Sequence, residues 1–331
     1  MAREEELSIT AGQVVLAGTL TRPQATEEVD DAAANRDHRW PAVLFLPSLL
    51  PRDRDGRLDR GRHDGWFAPE PDSAEGLLGR LATALADHGV ASLRFDKRGC
   101  GRSGGEWSSA GLFTLVDDAR DALSALRGHD AIDPARVGLV GHGEGAWLAL
   151  SVAAADPAVG PLTLIGAPAR GLRDVLRRAA AVRARRRNGV NREPAHPFVA
   201  ALDRGLEELI ERAERGETEM ALAMAGGRHA TLGLAGWEQA MRIPTRALAT
   251  LQPRSVTLVH GELDEWVHPD EAALLAAALA AKAAPRRILV PDAGHELVEA
   301  MPDLLGEVAA DLAARLQPRR LPTVLLSIGL R

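Results

Sequence analysis

The chain has 331 residues but only one cysteine and no tyrosine. A single cysteine, Cys100, excludes a disulfide within the chain and gives no cysteine-based metal cluster. Without tyrosine, no phenolic group is available as a proton donor in an active site. No apolar run approaches the roughly 18 residues of a membrane-spanning helix, and Met1–Leu7 lacks the apolar stretch of a signal peptide. These absences predict a soluble, cytoplasmic protein without membrane contact.

Strong charge and phosphate-binding motifs are also missing. The net charge of -6 gives no basis for binding nucleic acid or an anionic membrane. No P-loop is present and no G-x-G-x-x-G opens the first predicted βαβ unit. Since the sequence has no Cys/His metal cluster either, no cofactor or metal is predicted. One arginine-rich run indicates either a solvated helix face or a surface that attracts an acidic ligand, and it lacks the interleaved aromatic residues typical of single-stranded nucleic-acid binding. Its members are Arg177, Arg178, Arg183, Arg185, Arg186, Arg187 and Arg192.

Short apolar runs alternate with helical patterns along most of the chain. After an expected hairpin over residues 7–20, strands are predicted at 41–46, 90–95, 136–140, 162–165, 255–260 and 286–290. Helices are predicted at 74–88, 112–126, 144–155, 269–283 and 302–316. This alternation is typical of βαβ units in a mostly parallel sheet.

The pattern changes between residues 170 and 251, which have helical character and no convincing strand. We therefore expect residues 1–169 and 252–318 to form an α/β core and residues 170–251 an inserted helical cap. Such a cap would lie over the carboxyl ends of the strands, where ligands bind in open α/β sheets. Residues 319–331 are expected to form a C-terminal tail.

Four motifs in a fixed order carry a family resemblance. They are P-R-D-R-D-G at Pro51–Gly56, R-F-D-K-R-G-C-G-R-S-G-G at Arg94–Gly105, G-H-G-E-G at Gly141–Gly145, and the pair His260–Pro269 with Asp292–His295. Together they resemble the α/β-hydrolase superfamily, in particular its capped bacterial esterase-like or acyl-peptidase-like branch. The resemblance implies the α/β-hydrolase fold with an inserted helical cap and an ester-like or carbonyl-containing small molecule as ligand. It gives no oligomeric state.

The resemblance also implies a nucleophile, an acid and a histidine, in that order along the chain. These roles fall on Gly143, Asp264 and His295. Asp264 would orient the imidazole of His295, which would act as the general base. Gly143 stands where the family has serine, and glycine offers no hydroxyl for attack. The ordinary acyl-enzyme route through this position is therefore closed.

A second departure lies in the loop after the strand at 41–46. The family usually has His-Gly and a further glycine there, whereas this chain has P-S-L-L at Pro47–Leu50. The candidate oxyanion-hole residues are Glu144, Ser48 and Leu49, because the hole requires an amide from this loop and the amide that follows the nucleophile position. Without motif support for another role, the hydroxyl of Ser48 is expected to make a turn hydrogen bond.

The pocket and the function follow from these positions. His142 and Trp266 are candidates for lining the pocket. Three interpretations are compatible with the sequence: an esterase-like or non-hydrolytic enzyme in which His295 and Asp264 activate water or move a proton, an inactive relative that binds a ligand or partner, and an engineered replacement of serine by glycine. The altered loop Pro47–Leu50 favours natural divergence, because a single engineered replacement would leave that loop unchanged.

Overall fold

The computed structural model describes residues 2–24, 39–59, 61, 76–187, 196–227, 229–252, 254–283, 285–297 and 302–317. The predicted tail at 319–331 and Arg192 lie outside these residues.

Ten strands occur in the described part of the chain. They are β1 (Arg3–Ala11), β2 (Val14–Arg22), β3 (Trp40–Leu46), β4 (Ala91–Phe95), β5 (Ile132–His142), β6 (Leu162–Ile165), β7 (Glu219–Ala223), β8 (His229–Gly233), β9 (Val256–Gly261) and β10 (Arg286–Val290). Eight of them form one sheet in the order β1-β2-β4-β3-β5-β6-β9-β10. Strands β1 and β2 pair as an antiparallel hairpin, and β2 runs antiparallel to β4. All remaining pairings in this sheet are parallel.

Helices cover both faces of the sheet. The helices of the described residues are α1 (Leu77–Asp87), α2 (Leu112–Gly128), α3 (Glu144–Ala155), α4 (Leu172–Arg187), α5 (Pro197–Arg204), α6 (Leu206–Glu214), α7 (Trp237–Arg242), α8 (Thr245–Ala249), α9 (Asp270–Ala283) and α10 (Pro302–Leu316). Residues of α1 and α10 share one apolar cluster with Val43 and Phe45 of β3, whereas residues of α2, α3 and α9 share another with Leu44 and Leu46. Alternate residues of a strand point to opposite faces, so the two clusters lie on opposite sides of the sheet. None of these helices has the length and apolar character needed to cross a membrane.

The predicted alternation of strands and helices is confirmed, including the N-terminal hairpin. Gly12 turns between β1 and β2 with φ of 58°, a conformation that favours glycine. The predicted strand at 136–140 belongs to a longer strand that begins at Ile132. Most other boundaries agree to within a few residues.

The segment predicted to be helical without strands contains an antiparallel hairpin, so that prediction was wrong in this respect. Strands β7 and β8 pair over five residues each. Met220 and Leu222 are buried on β7, and Ala230 and Leu232 are buried on β8, against the apolar cluster of helices α5 and α6. A two-residue alternation this short is obscured by the surrounding helix-forming alanines and glutamates.

The topology brings the candidate site together at one edge of the sheet. Strand β3 ends before Pro47–Leu50, and β5 ends before Gly143. Asp264 follows β9, and His295 follows β10. These four strands are parallel and lie in one sheet, with β6 between β5 and β9. Their carboxyl ends therefore open onto the same crevice.

Candidate active site

The turn between β5 and α3 consists of Gly143 alone. Its φ of 53° and ψ of -114° are unfavourable for residues with a side chain, and its amide donates to the carbonyl of Ile165 at 2.9 Å. A Cβ on Gly141 would collide with the backbone of Gly145, and a Cβ on Gly145 would collide with the carbonyl of Leu46. The turn therefore has the sharp, tightly packed geometry of a nucleophile elbow.

Asp264 and His295 form a buried pair beside this turn. His295 Nδ1 lies 2.7 Å from Asp264 Oδ2. Asp264 Oδ1 accepts hydrogen bonds from the backbone amides of Trp266 and Val267, both at 2.8 Å. The carboxylate is thus held from both sides, and it fixes the ring so that Nε2 faces Gly143. A Cβ added at Gly143 would lie 3.2 Å from that nitrogen.

Charge and burial shift both ionisation equilibria. Burial opposes the ionisation of Asp264, but the charge of His295 and hydrogen bonds from His260 and His295 outweigh it and hold the pKa of the carboxyl far below its usual value. Burial lowers the pKa of His295, whereas the charge of Asp264 and its hydrogen bond raise it, and the net result is a pKa above the ordinary value of 6.5. The pair resembles the orienting acid and general base of a hydrolytic triad.

Two further residues shape this pair. His260, which the sequence analysis did not assign, lies with Nε2 3.4 Å from Asp264 Oδ2 and 2.7 Å from the carbonyl of Val267. Gly166 follows β6 with φ of 52°, and a Cβ there would stand 2.8 Å from His295 Cε1. The imidazole therefore occupies a position that is open only because residue 166 has no side chain.

Ser48 occupies the space beside the imidazole that Gly143 leaves empty. Its Oγ lies 3.4 Å from His295 Nε2, and the residue is 4% exposed. A Cβ on Gly143 would come within 3.0 Å of Ser48 Oγ, closer than real Cβ atoms approach, and would lie 3.1 Å from Ser48 Cβ. The prediction of a turn hydrogen bond for Ser48 was wrong, because its hydroxyl faces the imidazole of His295, which is 247 positions away in the sequence.

Two buried cations that the sequence analysis missed fasten the loop carrying Ser48. Lys97 Nζ donates to the carbonyl of Ser48 at 3.1 Å and to the carboxylate of Glu144 at 2.8 Å. Arg52 donates to the carbonyl of Leu49 at 3.1 Å and to Glu296 at 2.9 Å. Arg52 lies in the motif Pro51–Gly56 and Lys97 in the motif Arg94–Gly105, so the sequence marked both positions. The motifs do not show which groups these two cations bind.

The three predicted oxyanion-hole residues border the same cavity as Gly143. Glu144 begins α3, and the first amides of a helix have no partner within the helix and carry the positive end of its dipole. Leu49 lies next to Ser48, and Leu50 adopts a φ of 77°, in the left-handed region that favours glycine. The loop thus keeps an unfavourable conformation beside the site although leucine stands there, as is typical of functional positions.

His142 lies behind His295 and not on the cavity wall, which corrects its prediction as a pocket-lining residue. It is fully buried, its Nε2 lies 3.0 Å from the carbonyl of His295, and the two rings are 4.5 Å apart between centroids. Burial lowers the pKa of His142 to about 4, so the ring is neutral at neutral pH. The neutral ring of His142 therefore helps to hold the backbone of His295 through this hydrogen bond.

His142, His295 and Glu296 bring ligand atoms within 4.8 Å of one another, close enough to hold a metal ion. The donor set fits a metal poorly. Both ring nitrogens of His295 already face other groups, Asp264 on one side and Ser48 on the other. Glu296 is paired with the guanidinium of Arg52, whose charge opposes a second cation.

A cavity of about 550 Å³ opens above these residues, between the core and the segment that carries α4 to α7. Ser48, Gly143, Glu144 and His295 lie on its core side. Trp266 lies on its wall, and the guanidinium of Arg183 stacks 4.8 Å from the ring centroid of that tryptophan. The rest of the wall is largely apolar and includes Leu49, Leu50, Leu58, Leu112, Trp147, Leu172, Val175, Leu176, Phe198, Leu202, Leu232 and Trp237.

The described arginines of the arginine-rich run mostly pair with acids of the fold. Arg177 binds Glu207, Arg183 and Arg187 bind Asp203, Arg178 binds Asp270, and Arg186 binds Glu265. These ion pairs join α4 to α5, α6, the loop after β9 and the first residue of α9. This pairing agrees with the interpretation as a structural, partly solvated helix face.

Comparison with solved structures shows the same architecture. Est1E from Butyrivibrio proteoclasticus, in a structure with bound ferulic acid, superposes with a TM-score of 0.60 at 16% identity, over 93% of this chain and 98% of that one. At this identity the likeness shows the fold alone. The chain thus has the alpha/beta hydrolase fold, a mostly parallel sheet flanked by helices, as the sequence predicted.

Curated relatives match over a smaller part. An uncharacterized protein of Mycobacterium tuberculosis is 33% identical over 132 residues, which cover 35% of this chain and 46% of the relative. The polyketide transferase ATR5 of Stachybotrys chlorohalonatus is 31% identical over 126 residues, 38% of this chain and 42% of the relative. The chain thus spans less than half the length of the curated relatives it matches.

The match to a whole family is more extensive. Residues 56–308 match the profile of the "Alpha/beta hydrolase family", which is well over half of the chain and includes Gly143, Asp264 and His295. With the elbow, the acid and the histidine following one another in the order of that family, the chain belongs to the alpha/beta hydrolase family.

Proposed function

We propose that the protein hydrolyses a carboxylic ester, or a related acyl compound, of an apolar small molecule. His295 is the general base of the reaction, and Asp264 orients its ring and stabilises its charged form. The observation that carries this proposal is the buried 2.7 Å contact between His295 Nδ1 and Asp264, with the opposite ring nitrogen directed toward the elbow.

The surroundings of His295 support acid–base chemistry over a purely structural role. Burial lowers the pKa of His295, but the charge and hydrogen bond of Asp264 outweigh it and raise the pKa above 6.5, so the carboxylate stabilises the protonated ring that a general base forms. A structural ion pair could sit anywhere in the core, whereas this one borders the cavity together with the first turn of α3. Perturbed ionisable groups in a cleft mark candidate active sites.

The cavity supports an apolar substrate. Its walls are mainly leucine, phenylalanine and tryptophan side chains, and a volume of about 550 Å³ falls in the range of small-molecule sites. The partial relative ATR5 is a polyketide transferase. A substrate with an apolar acyl chain would fit this cavity and would place its carbonyl near His295.

A second candidate function is ligand binding without turnover. Gly143, the position of the family nucleophile, has no side chain, and this observation favours a protein that keeps the pocket but has lost the reaction. In that case the affinity for a carbonyl-containing ligand would not depend on the charge of His295. An engineered serine-to-glycine replacement is a weaker explanation, because it leaves unexplained why Ser48 occupies the vacated space.

The test is hydrolysis of p-nitrophenyl butyrate by the native protein, His295→Ala, Asp264→Asn and the control His88→Ala. His88 is exposed at the end of α1, away from the cavity. Loss of the general base is expected to lower kcat/KM by about 10²–10⁴-fold, whereas the control should match the native protein. Equal rates in His295→Ala and the native protein, or no turnover of any ester by the native protein, would contradict the proposal.

A further inference from the structure

We propose that Ser48 is the nucleophile, so that the attacking hydroxyl has moved from the elbow to the loop after β3. This inference deepens the proposed function, on which it rests. Family resemblance assigns nucleophilic attack to residue 143, and nothing in the motifs marks residue 48. The assignment comes from where the structure places one hydroxyl relative to His295.

The geometry places the hydroxyl of Ser48 next to a base that is itself oriented by a carboxylate. Ser48 Oγ lies 3.4 Å from His295 Nε2, and the other ring nitrogen contacts Asp264 at 2.7 Å. Contacts of a nucleophile with its base are often longer than a short hydrogen bond before substrate binds. Hydroxyl, imidazole and carboxylate thus follow one another in the order of a serine triad.

Gly143 is complementary to this placement. A Cβ at residue 143 would overlap Ser48 Oγ and would stand 3.2 Å from His295 Nε2. The serine hydroxyl and an elbow side chain would therefore compete for one position beside the base. Glycine at 143 and serine at 48 together keep one hydroxyl at that position, whereas serine at both would place two there.

The neighbouring groups hold Ser48 in place. Lys97 donates to its carbonyl and also pairs with Glu144, so the loop and the start of α3 are fastened to the same ammonium. Arg52 holds the next carbonyl, that of Leu49. A nucleophile must lie within a fraction of an ångström of its productive position, and a loop residue reaches this only when its backbone is fixed.

The reaction then balances as two acyl transfers. Ser48 Oγ forms a bond to the ester carbonyl carbon while His295 Nε2 takes the hydroxyl proton, and the resulting oxyanion collapses with cleavage of the bond to the alcohol oxygen. The alcohol leaves with the proton from His295. Water then attacks the acyl-Ser48 ester, gives its proton to His295, and releases the carboxylic acid and free Ser48 as that proton returns to Oγ.

The experiment uses the native protein with a fluorophosphonate probe, followed by peptide mass spectrometry. Attack by a serine oxygen on phosphorus expels fluoride and leaves a stable adduct on that residue. We expect the adduct on Ser48 in the native protein and none in Ser48→Ala, with p-nitrophenyl butyrate hydrolysis lowered at least about 10³-fold in that variant. Ser109→Ala is the matched control, because Ser109 is exposed and outside the cavity wall.

The outcomes separate this inference from the proposed function. Turnover that depends on His295 but persists in Ser48→Ala, without an adduct on Ser48, would overturn the inference and leave a water molecule as the nucleophile. An adduct on another residue in the native protein would overturn it as well. A native protein that neither hydrolyses the ester nor takes up the probe would defeat both proposals. Because labelling is measured on the native protein, a variant that fails to fold does not decide the result.

Discussion

At the scale of single residues, Gly143 and Ser48 have to be considered as a pair. A serine at 143 would bring back the family residue, but its Cβ would overlap Ser48 Oγ, and the backbone there has a positive φ. We expect Gly143→Ser alone to lower the free energy of unfolding by about 2 kcal/mol or more, from overpacking and strain together. Urea unfolding measures this loss, and no gain in esterase activity is expected.

The double variant Ser48→Gly/Gly143→Ser is the matched control for that experiment. It removes the overlap while keeping the strained backbone, so it should recover part of the lost stability and place a hydroxyl at the elbow beside His295. Ser48→Gly alone completes the double-mutant cycle with the native protein, Gly143→Ser and the double variant. Gly143→Ser unfolding at the same urea concentration as the native protein would show that the two side chains do not compete.

The pH dependence of the reaction also belongs to single residues. The base must be neutral to accept a proton, and the pKa of His295 is raised above 6.5 by the charge of Asp264. We therefore expect kcat/KM to fall as the pH drops through a value above 6.5. Asp264→Asn removes the charge that raises the pKa of His295, so the acidic limb of the profile should move to lower pH. The maximum value of kcat/KM should also be lower.

This is measured as the pH profile of kcat/KM for the p-nitrophenyl ester, which reports groups of the free enzyme. Asp87→Asn, on the exposed end of α1, is the control and should leave the limb in place. An acidic limb that does not move in Asp264→Asn would mean that another group accepts the proton.

At the scale of elements, Lys97 connects the turn after β4 with the loop after β3 and with the start of α3. Its ammonium is 3% exposed and is shared between the carbonyl of Ser48 and the carboxylate of Glu144, whose side chain is 14% exposed. We expect Lys97→Met to cost about 3 kcal/mol of unfolding free energy, at the low end for a broken buried ion pair because Glu144 keeps some water contact. Esterase activity should fall as well, because the backbone of Ser48 loses its anchor.

Denaturant unfolding of Lys97→Met, Glu144→Gln and the double variant isolates the contribution of the pair. Arg102→Met is the control, because the Arg102–Glu6 pair is mostly exposed and should contribute less than about 1 kcal/mol. Additive losses in the double variant would mean that the Lys97–Glu144 contact does not couple the two elements.

The elements of the core were predictable, and the reason is physical. Buried parallel strands are short continuous apolar runs, and glycines mark the turns that follow them, as at Gly143 after β5. The assignments of Asp264 and His295 came from motif order, and the structure places them in contact. The hairpin of β7 and β8 was missed because each strand has only five residues, too few for a two-residue period to stand out.

Ser48 could not be assigned from the sequence for a different reason. Its contact with His295 joins residues 247 positions apart, and it depends on how the loop after β3 closes over the elbow. Lys97 and Arg52 hold this loop through hydrogen bonds to the carbonyls of Ser48 and Leu49. These partners are known only from the folded structure. Motifs record which residue usually does the chemistry, whereas the space around the base shows which residue is positioned for it here.

At the scale of the whole molecule, the segment between β6 and β9 closes the cavity and should set the substrate. Its helices contribute Val175, Leu176, Phe198 and Leu202 to the cavity wall, opposite the residues of the core. Each methylene of an acyl chain buried there is worth about 0.8 kcal/mol. We therefore expect kcat/KM for p-nitrophenyl esters to rise about fourfold per added methylene until the cavity is filled.

Leu202→Trp tests this division between a reactive core and a size-selecting cap. Leu202 belongs to α5 and lines the cavity, while Ser48 and His295 are supplied by the core loops. The larger side chain should lower kcat/KM for the octanoate ester by about tenfold or more, a loss of roughly two buried methylenes, and leave the acetate ester within about twofold of the native rate. The ratio of the two rates is the measurement, because it cancels any change in the amount of folded protein. Equal losses for both esters would place Leu202 outside the path of the acyl chain, and the selectivity would then have to lie in the core side of the cavity.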